Sequence, residues 1–144
     1  MNVEAILRAK GAKVVTVTPE TTVSEAAKIL KRARIGAVVV SNDGSDILGI
    51  LSERDIVNTM AEPTKRTGLL DKPVSALMTR DVLTCVPEDS VQKCMAVMTD
   101  SRVRHLPVVR ADRMIGLVSI GDVVKNRLEE LEIEAGFLRE LIAS

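Results

Sequence analysis

Aromatic side chains are almost missing from this chain: Phe137 is the only one in 144 residues, and there is no Trp or Tyr. Proteins that read single-stranded DNA or RNA stack bases on aromatic side chains, so the composition does not indicate that class. The 20 Lys and Arg residues balance the 20 Asp and Glu residues, so no net charge attracts nucleic acid or anionic lipid. We therefore expect neither a nucleic-acid nor a membrane partner.

Long apolar runs are also missing, and none approaches the ~18 residues that a membrane-spanning helix needs. The N-terminal stretch "MNVEAILRAKG" carries charges within its short apolar pattern, which is not typical of a secretory signal. The two cysteines, Cys85 and Cys94, form no CxxC pair and indicate no disulfide framework. The chain has only one histidine in addition to these two cysteines, and this set does not suggest a metal site. These features favour a cytoplasmic protein.

What the sequence does contain is an internal repeat. The stretch "VTPETTVSEAAKIL" (17–30) aligns with "CVPEDSVQKCMAVM" (85–98), and "IGAVVV" (35–40) aligns with "VRHLPV" (103–108). Further on, "GILSERDIV" (49–57) aligns with "GLVSIGDVV" (116–124). The offset between the copies falls from 68 to 67 residues across the intervening turn, which contains "SNDGSD" in the first copy and "RADR" in the second. The chain is therefore interpreted as a tandem repeat of one structural unit.

Each copy predicts the element order β-α-β-β-α. Thr22 and Glu25 form a T-x-x-E capping box before an amphipathic run, and Asn, Asp and Gly between two apolar runs indicate a hairpin turn. The predicted strands are 14–17 and 82–86, the helices 22–33 and 90–100, and the hairpins 37–40 with 47–51 and 105–109 with 114–118. A second helix closes each copy.

The expected fold class is α/β, of the α+β kind, with two β-α-β-β-α repeats packed about a pseudo-twofold axis. Each small sheet would otherwise leave an apolar surface uncovered. The expected boundaries are 1–68 for the first repeat with a short N-terminal helix, 69–81 for a connector, 82–127 for the second repeat and 128–144 for a helical extension. The connector includes one short apolar helix around 74–78.

The C-terminal extension continues the last helix, which is predicted from Ser119 to Ile142. Apolar residues recur along it with the 4, 3, 4, 3, 4 spacing of a heptad seam. This stripe either packs back on its own repeats or pairs with a second copy of the chain. The residues of the seam are Val124, Leu128, Leu131, Ala135, Leu138 and Ile142.

The repeated Ser-x-x-Asp junctions, Ser52 with Asp55 and Ser119 with Asp122, are the candidate functional features. Helix N-termini favour anions such as phosphate, and an ionised Asp can accept hydrogen bonds from the vicinal diol of a ribose. The same pattern is also an ordinary helix cap. A duplication would copy a cap as readily as a binding site, so both interpretations stay open.

The duplicated order, with G-h-h-S-x-x-D closing each copy and "RHLPVV" leading into the second hairpin, resembles a tandem cystathionine-β-synthase (CBS) domain pair, the Bateman module. The resemblance covers residues 12–127. It implies clefts between the repeats that bind adenosine nucleotides: AMP, ADP, ATP, or NAD(H) or S-adenosylmethionine in some members. It implies no catalytic cofactor, and it favours a homodimer.

Carried over by position, the resemblance assigns ribose hydroxyls to Asp55 and Asp122, with Ser52 and Ser119 near the ribose or phosphates. It assigns phosphates to Arg104 and His105, with Arg54 adding charge in the first copy, where Gly36 and Ala37 replace the basic pair. His105 could equally be a packed strand residue, and strand alternation would place it opposite Arg102 and Arg104. The adenine would be bordered by Thr16, Thr84 and the backbone of Ile35, Gly36, Ala37, Val103, Arg104 and His105.

Three function classes follow from these patterns. The leading one is a stand-alone regulatory nucleotide-binding module that senses energy or redox state and signals through an unknown partner in trans or through its own change of shape. An enzyme, such as a nucleotide hydrolase or a thiol enzyme using Cys85, would need a base placed against a nucleophile, which one histidine makes improbable. The third is a ligand-independent dimeric scaffold in which both Ser-x-x-Asp motifs are only caps.

Overall fold

The computed structural model describes residues 1–143, so only Ser144, the end of the expected extension, lies outside the described residues. The chain divides into two compact units. We call Lys13–Leu83 with Ala111–Ile115 the first-repeat unit, and Met1–Ala12 with Thr84–Arg110 and Gly116–Ser144 the second-repeat unit. Each unit is built around one copy of the repeat.

The secondary structure follows the predicted order, except that the first strand of the second copy is missing from residues 1–143. An N-terminal helix precedes both copies, and two 3₁₀ turns, Leu69–Asp71 and Val74–Ala76, occupy the connector. The elements are α1 (Val3–Lys10), β1 (Thr16–Val17), α2 (Val23–Ala33), β2 (Ala37–Val40), β3 (Gly49–Ser52), α3 (Glu53–Met60), α4 (Val91–Ser101), β4 (His105–Arg110), β5 (Arg113–Ser119) and α5 (Ile120–Ala143).

Side-chain caps start the first helix of each copy, and the sequence predicted the cap at Thr22 but not the one at Ser90. The Thr22 hydroxyl accepts a hydrogen bond from the Glu25 amide at 3.2 Å, and the Ser90 hydroxyl accepts one from the Lys93 amide at 3.0 Å. These bonds satisfy amides that the helix itself leaves unpaired. Both helices bury one apolar face at the same spacing: Val23, Ala26 and Leu30 in α2, and Val91, Cys94 and Met98 in α4.

The sheet of the first-repeat unit has three strands in the order β1-β2-β3, with β1 parallel to β2 and β2 antiparallel to β3. All four residues of β2 are buried, and Val38, Val40 and Leu51 belong to the core that α2 covers. Ala37 is paired with Ser52 in the register, so the start of β2 lies beside the end of β3.

The sheet of the second-repeat unit has only two strands, β4 and β5, so the prediction of a strand over 82–86 is wrong. A single parallel bridge between Cys85 and Val108 takes its place. In the first copy the Val39 amide donates to the Val15 carbonyl at 3.4 Å. Pro107 stands at the equivalent position and has no N–H to donate, which removes that bond from the ladder.

Each copy is covered by a short segment that packs against the start of its first helix. In the first-repeat unit Pro73 bridges to Thr22, and the Val74 amide donates to the Thr21 carbonyl at 2.8 Å. In the second-repeat unit Asn2 bridges to Ser90 in the same way. Helix α1 therefore packs with the second copy, although it precedes the first copy along the chain.

The repeated glycines, Gly49 and Gly116, are explained by these covering segments. A Cβ on Gly49 would lie 2.6 Å from the Met78 sulfur and 2.9 Å from the Thr79 carbonyl oxygen. A Cβ on Gly116 would lie 2.7 Å from a methyl carbon of Leu7. The close approach of a covering segment thus requires glycine in each copy.

We expect Gly49→Ala to destabilise the protein by about 1–3 kcal/mol, the usual cost of overpacking, and Gly116→Ala to cost less. The Leu7 methyl group is the end of a flexible side chain that can move, whereas the Thr79 oxygen is backbone. Urea unfolding of the two variants beside the wild type measures the difference. An equal or larger loss for Gly116→Ala would contradict this account.

Helix α5 runs for 24 residues, close to the predicted Ser119–Ile142. Its first turns pack on α4 and α1, where Val123 is buried. The apolar seam is uncovered by residues 1–143 along the whole helix: Val124 is 40% exposed, Leu128 59%, Leu131 43%, Leu138 53% and Ile142 86%. The stripe therefore does not pack back on its own repeats.

Within residues 1–143, no helix is both long and apolar enough to cross a membrane.

Candidate functional site

Ser52 and Asp55 form a reciprocal capping box where β3 passes into α3. The Asp55 carboxylate oxygen Oδ2 accepts hydrogen bonds from the Ser52 amide at 2.9 Å and from the Ser52 hydroxyl at 3.1 Å. In return, the Asp55 amide donates to the Ser52 hydroxyl at 3.3 Å. The capping interpretation of the motif is thus correct for this junction.

Ser119 and Asp122 repeat this geometry where β5 passes into α5. The Ser119 amide donates to Oδ2 of Asp122 at 2.9 Å, and the Asp122 amide donates to the Ser119 hydroxyl at 3.2 Å. In both copies the cap uses only Oδ2, and no group in residues 1–143 donates a hydrogen bond to either Oδ1. A cap and a ribose contact are therefore compatible, because the carboxylate has two oxygens.

Backbone hydrogen bonds fix the predicted adenine-bordering segments against the junctions. The Glu53 amide donates to the Gly36 carbonyl at 3.0 Å, and the Ile120 amide donates to the Arg104 carbonyl at 2.8 Å. Each repeat thus brings one segment and one junction together: 35–37 with 52–55, and 103–105 with 119–122. These bonds also occupy two first-turn amides, those of Glu53 and Ile120. The sequence suggested that first-turn amides would be open to phosphate, and these two are not.

The two predicted threonines have different surroundings. Thr16 is half-buried in β1 and is paired with Val39 in the register of β2, one strand away from the Ser52–Asp55 junction. Thr84 is exposed and precedes Cys85, the residue that bridges to Val108. Neither threonine forms a hydrogen bond with a junction residue in the described chain.

The basic residues predicted to bind phosphate differ in exposure. Arg54 and Arg104 are exposed, and neither forms an ion pair within residues 1–143. His105 is half-buried at the start of β4, and Val103 is half-buried before it. The expected strand alternation of Arg102, Arg104 and His105 is wrong, because β4 begins only at His105 and Arg102 is the left-handed C-cap of α4, with φ 54°.

Sequence reasoning missed Lys10, the last residue of α1. Its ammonium nitrogen donates to Oδ2 of Asp122 at 2.7 Å and to the Leu117 carbonyl at 2.9 Å. The two side chains are 112 positions apart in the sequence, and nothing in the local pattern places α1 beside the second copy. Only the chain fold could reveal this pair.

Lys10 changes the electrostatics of the second junction. Partial burial alone would raise the pKa of Asp122, but the hydrogen bonds from Lys10 and the Ser119 amide, together with the lysine charge, hold it below its ordinary value. Asp122 therefore contributes stability above the unfolded-state pKa of about 3.9. That contribution is lost as the pH falls through the lower, folded-state pKa.

Lys10→Met is expected to reduce the acid sensitivity of the second-repeat unit. The free energy of unfolding should fall less steeply below about pH 4 than in the wild type, because Asp122 loses the partner that lowers its pKa. Urea unfolding across an acid pH series measures this dependence. Lys13→Met is the matched control, since Lys13 is exposed and forms no ion pair in the described chain. Identical acid profiles for Lys10→Met and wild type would contradict the assignment.

Comparison with known families agrees with the duplicated architecture. The sequence profile of the family described as "CBS domain" matches residues 5–62 and 74–129, one match for each copy of the repeat. The chain belongs to the CBS domain family. The two matches make it a tandem CBS pair, as the resemblance of the repeated junctions indicated.

Curated relatives include other CBS-domain proteins. The chain is 32% identical over 117 residues to YhcV of Bacillus subtilis, covering 81% of this chain and 80% of that protein. It is 36% identical over 117 residues to the mitochondrial CBSX3 of Arabidopsis thaliana, covering 78% of this chain but 56% of that longer protein. Both relatives are described as CBS domain-containing proteins.

Solved structures share the fold at comparable coverage. The CBS-domain protein ATU1752 from Agrobacterium tumefaciens superposes with a TM-score of 0.83 at 41% identity, over 88% of this chain and 99% of that one. CBSX2 in complex with AMP gives 0.69 at 27% identity, over 81% and 88%. The CBS pair of MJ0100 with 5′-methylthioadenosine and S-adenosyl-L-methionine gives 0.75 at 25% identity, over 87% and 98%. Ligands containing adenosine therefore occur in two of these similar CBS pairs.

Proposed function

We propose that this CBS-domain protein is a regulatory module that binds an adenosine nucleotide, AMP, ADP, ATP or NAD(H), and so senses energy or redox state. The observation that carries the proposal is the repeated Ser-x-x-Asp junction. In both copies it closes a helix cap with Oδ2 and leaves Oδ1 of Asp55 or Asp122 without a hydrogen-bond donor in residues 1–143. AMP in CBSX2 and the adenosine ligands in MJ0100 support the ligand class.

The parts of the ligand are assigned by their chemistry. A ribose diol donates hydrogen bonds, which suits the carboxylates of Asp55 and Asp122 beside Ser52 and Ser119. Phosphates need cations, and Arg54 and Arg104 are exposed and unpaired in the described chain, with His105 next to Arg104. Adenine would lie along the backbone of 35–37 or 103–105, the segments that are fixed to the junctions, with Thr16 and Thr84 at the edges.

Signalling requires a difference between the free and bound states. A ligand shifts a conformational equilibrium only by its differential affinity for the two states. We propose that the shift is read by a partner protein in the cytoplasm, or by a second copy of the chain. The homodimer is supported by the exposed apolar seam of α5, because such a stripe remains in contact with water unless another chain covers it.

A thermal-shift screen against AMP, ADP, ATP, NAD⁺, NADH and S-adenosylmethionine tests the proposal. A ligand at 100 times its dissociation constant stabilises the fold by about 2.7 kcal/mol, which is a visible rise in the unfolding midpoint. We expect at least one adenosine nucleotide to give that rise, and guanosine nucleotides to serve as matched controls. No shift at millimolar concentration with any adenosine ligand would contradict the proposal.

A ligand-independent dimeric scaffold is the second candidate. The complete caps at both junctions and the exposed α5 seam favour it, since neither needs a ligand.

An enzyme that uses Cys85 has less support. The Cys85 thiol is buried, and a hydrogen bond with Cys94 together with burial raises its pKa far above the ordinary range. The reactive thiolate is therefore not available at neutral pH.

A further inference from the structure

The two junctions differ in one respect that the repeat does not predict. Oδ2 of Asp122 accepts hydrogen bonds from both the Ser119 amide and the Lys10 ammonium group. Oδ2 of Asp55 accepts bonds only from Ser52, and Asp55 has no cationic partner in residues 1–143. The covering segment of the first copy places no lysine against its carboxylate. The two candidate ribose carboxylates are thus in different electrostatic states.

Lys10 is held in place at several points. Its ammonium group bonds two acceptors, Asp122 and the Leu117 carbonyl. Helix α1 is fixed to the second copy through the Val3 amide, which donates to the Asp89 carbonyl at 2.9 Å, and through Leu7 against Gly116. The helix ends directly after Lys10, at Gly11 with φ 93°. The lysine is therefore a tethered cation at the end of an anchored helix.

We propose that Lys10 is a built-in competitor for the ribose carboxylate Asp122, so that the first-repeat junction at Asp55 is the stronger nucleotide site and the second binds more weakly while Lys10 holds Asp122. This inference rests on the proposed function. Oδ2 of each carboxylate already accepts two hydrogen bonds, but at Asp122 one of them comes from a cation, which partly neutralises the negative charge that a ribose diol would meet there. A tethered group competes at a high effective concentration, and a site that is only partly available binds with reduced apparent affinity.

The asymmetry gives Lys10 a role that differs from a phosphate contact. A lysine that bound the ligand phosphate would strengthen binding, and its removal would weaken the site. A lysine that occupies Asp122 weakens binding, and its removal would strengthen the site. The sign of the change on removing Lys10 therefore distinguishes the two roles.

Calorimetric titration with ADP tests the proposal in the full-length chain. The first junction is disabled by Asp55→Asn, and the second is then measured with Lys10 unchanged, as Lys10→Met and as Lys10→Arg. We expect Lys10→Met to tighten ADP binding about 1.5- to 5-fold, the range of a partly exposed ion pair. Lys10→Arg keeps a cation and should stay weak, and Lys13→Met in the same background should change nothing.

The outcomes separate this inference from the proposed function. Wild-type protein that binds ADP, together with unchanged or weaker binding in Lys10→Met, overturns the competitor role and leaves the proposed function intact. Absence of ADP binding in wild type and in Lys10→Met overturns the competitor role, and the proposed function falls with it only if no other adenosine nucleotide gives a thermal shift. Binding that appears or tightens only when Lys10 is removed supports the competitor. Circular dichroism of each variant verifies that the fold is retained.

Discussion

Asp55→Asn is expected to weaken the binding of adenosine nucleotides about 10- to 100-fold. Asparagine has nearly the same shape, and its carbonyl oxygen can still accept the bond from the Ser52 amide that the cap requires. What it removes is the negative charge, and hydrogen bonds to charged groups contribute about 1.5–3 kcal/mol. At about 1.4 kcal/mol per tenfold change in affinity, the expected loss follows.

The measurement is a titration of wild type and Asp55→Asn with the nucleotide that gives the largest thermal shift. Asp71→Asn is the matched control, because Asp71 is exposed in the connector and has no side-chain hydrogen bond in the described chain. The unfolding midpoint without ligand should change little in either variant. Equal affinity of Asp55→Asn and wild type would mean that Asp55 is only a cap.

The double variant Leu131→Ala, Leu138→Ala is expected to weaken the proposed homodimer at least about 100-fold. Both side chains lie on the α5 seam and are about half exposed in the single chain. Full burial of a leucine contributes about 1.5–3 kcal/mol, and a symmetric dimer would bury four of them, two from each copy. A net loss of only about 3 kcal/mol already corresponds to more than a 100-fold change.

Sedimentation equilibrium over a range of protein concentrations measures this change. Leu70→Ala is the control, since Leu70 is 57% exposed but belongs to the connector and not to α5. We expect the control to associate like the wild type while the double variant remains monomeric. A monomeric wild type, or a double variant that still forms the full dimer, would contradict the role of the seam.

The sequence predicted the architecture well wherever a local chemical signal was repeated. Thr22 precedes an amphipathic run and does cap α2, and Ser90 caps α4 at the equivalent position of the second copy. The prediction of a strand over 82–86 was wrong because one residue changes a long-range pairing. Pro107 is easily seen in the sequence, but 82–86 lies far from it along the chain, and the sequence does not show that the two segments pair. The glycines were visible as a repeat, yet their reason required knowing that Met78 and Leu7 lie against them.

The candidate site was predictable to a similar degree. Ser52, Asp55, Ser119 and Asp122 stand in a recognisable pattern, and the structure explains how they can cap a helix and still offer an oxygen. Lys10 was not predictable, because α1 precedes the first copy in the sequence but packs with the second. Charge contacts of this kind depend on chain topology, which local spacing does not encode. The ligand contacts of all these residues stay predictions.

The central claim is that the Ser-x-x-Asp junction binds a ribose diol, and a change in the ligand tests it most directly. The measurement compares the dissociation constants of AMP and 2′,3′-dideoxy-AMP for wild type and for Asp55→Asn. We predict that removing the diol weakens binding to the wild type about 10- to 100-fold, the same range as the variant, and has little further effect on Asp55→Asn. Equal affinity of the wild type for the two nucleotides would contradict the claim.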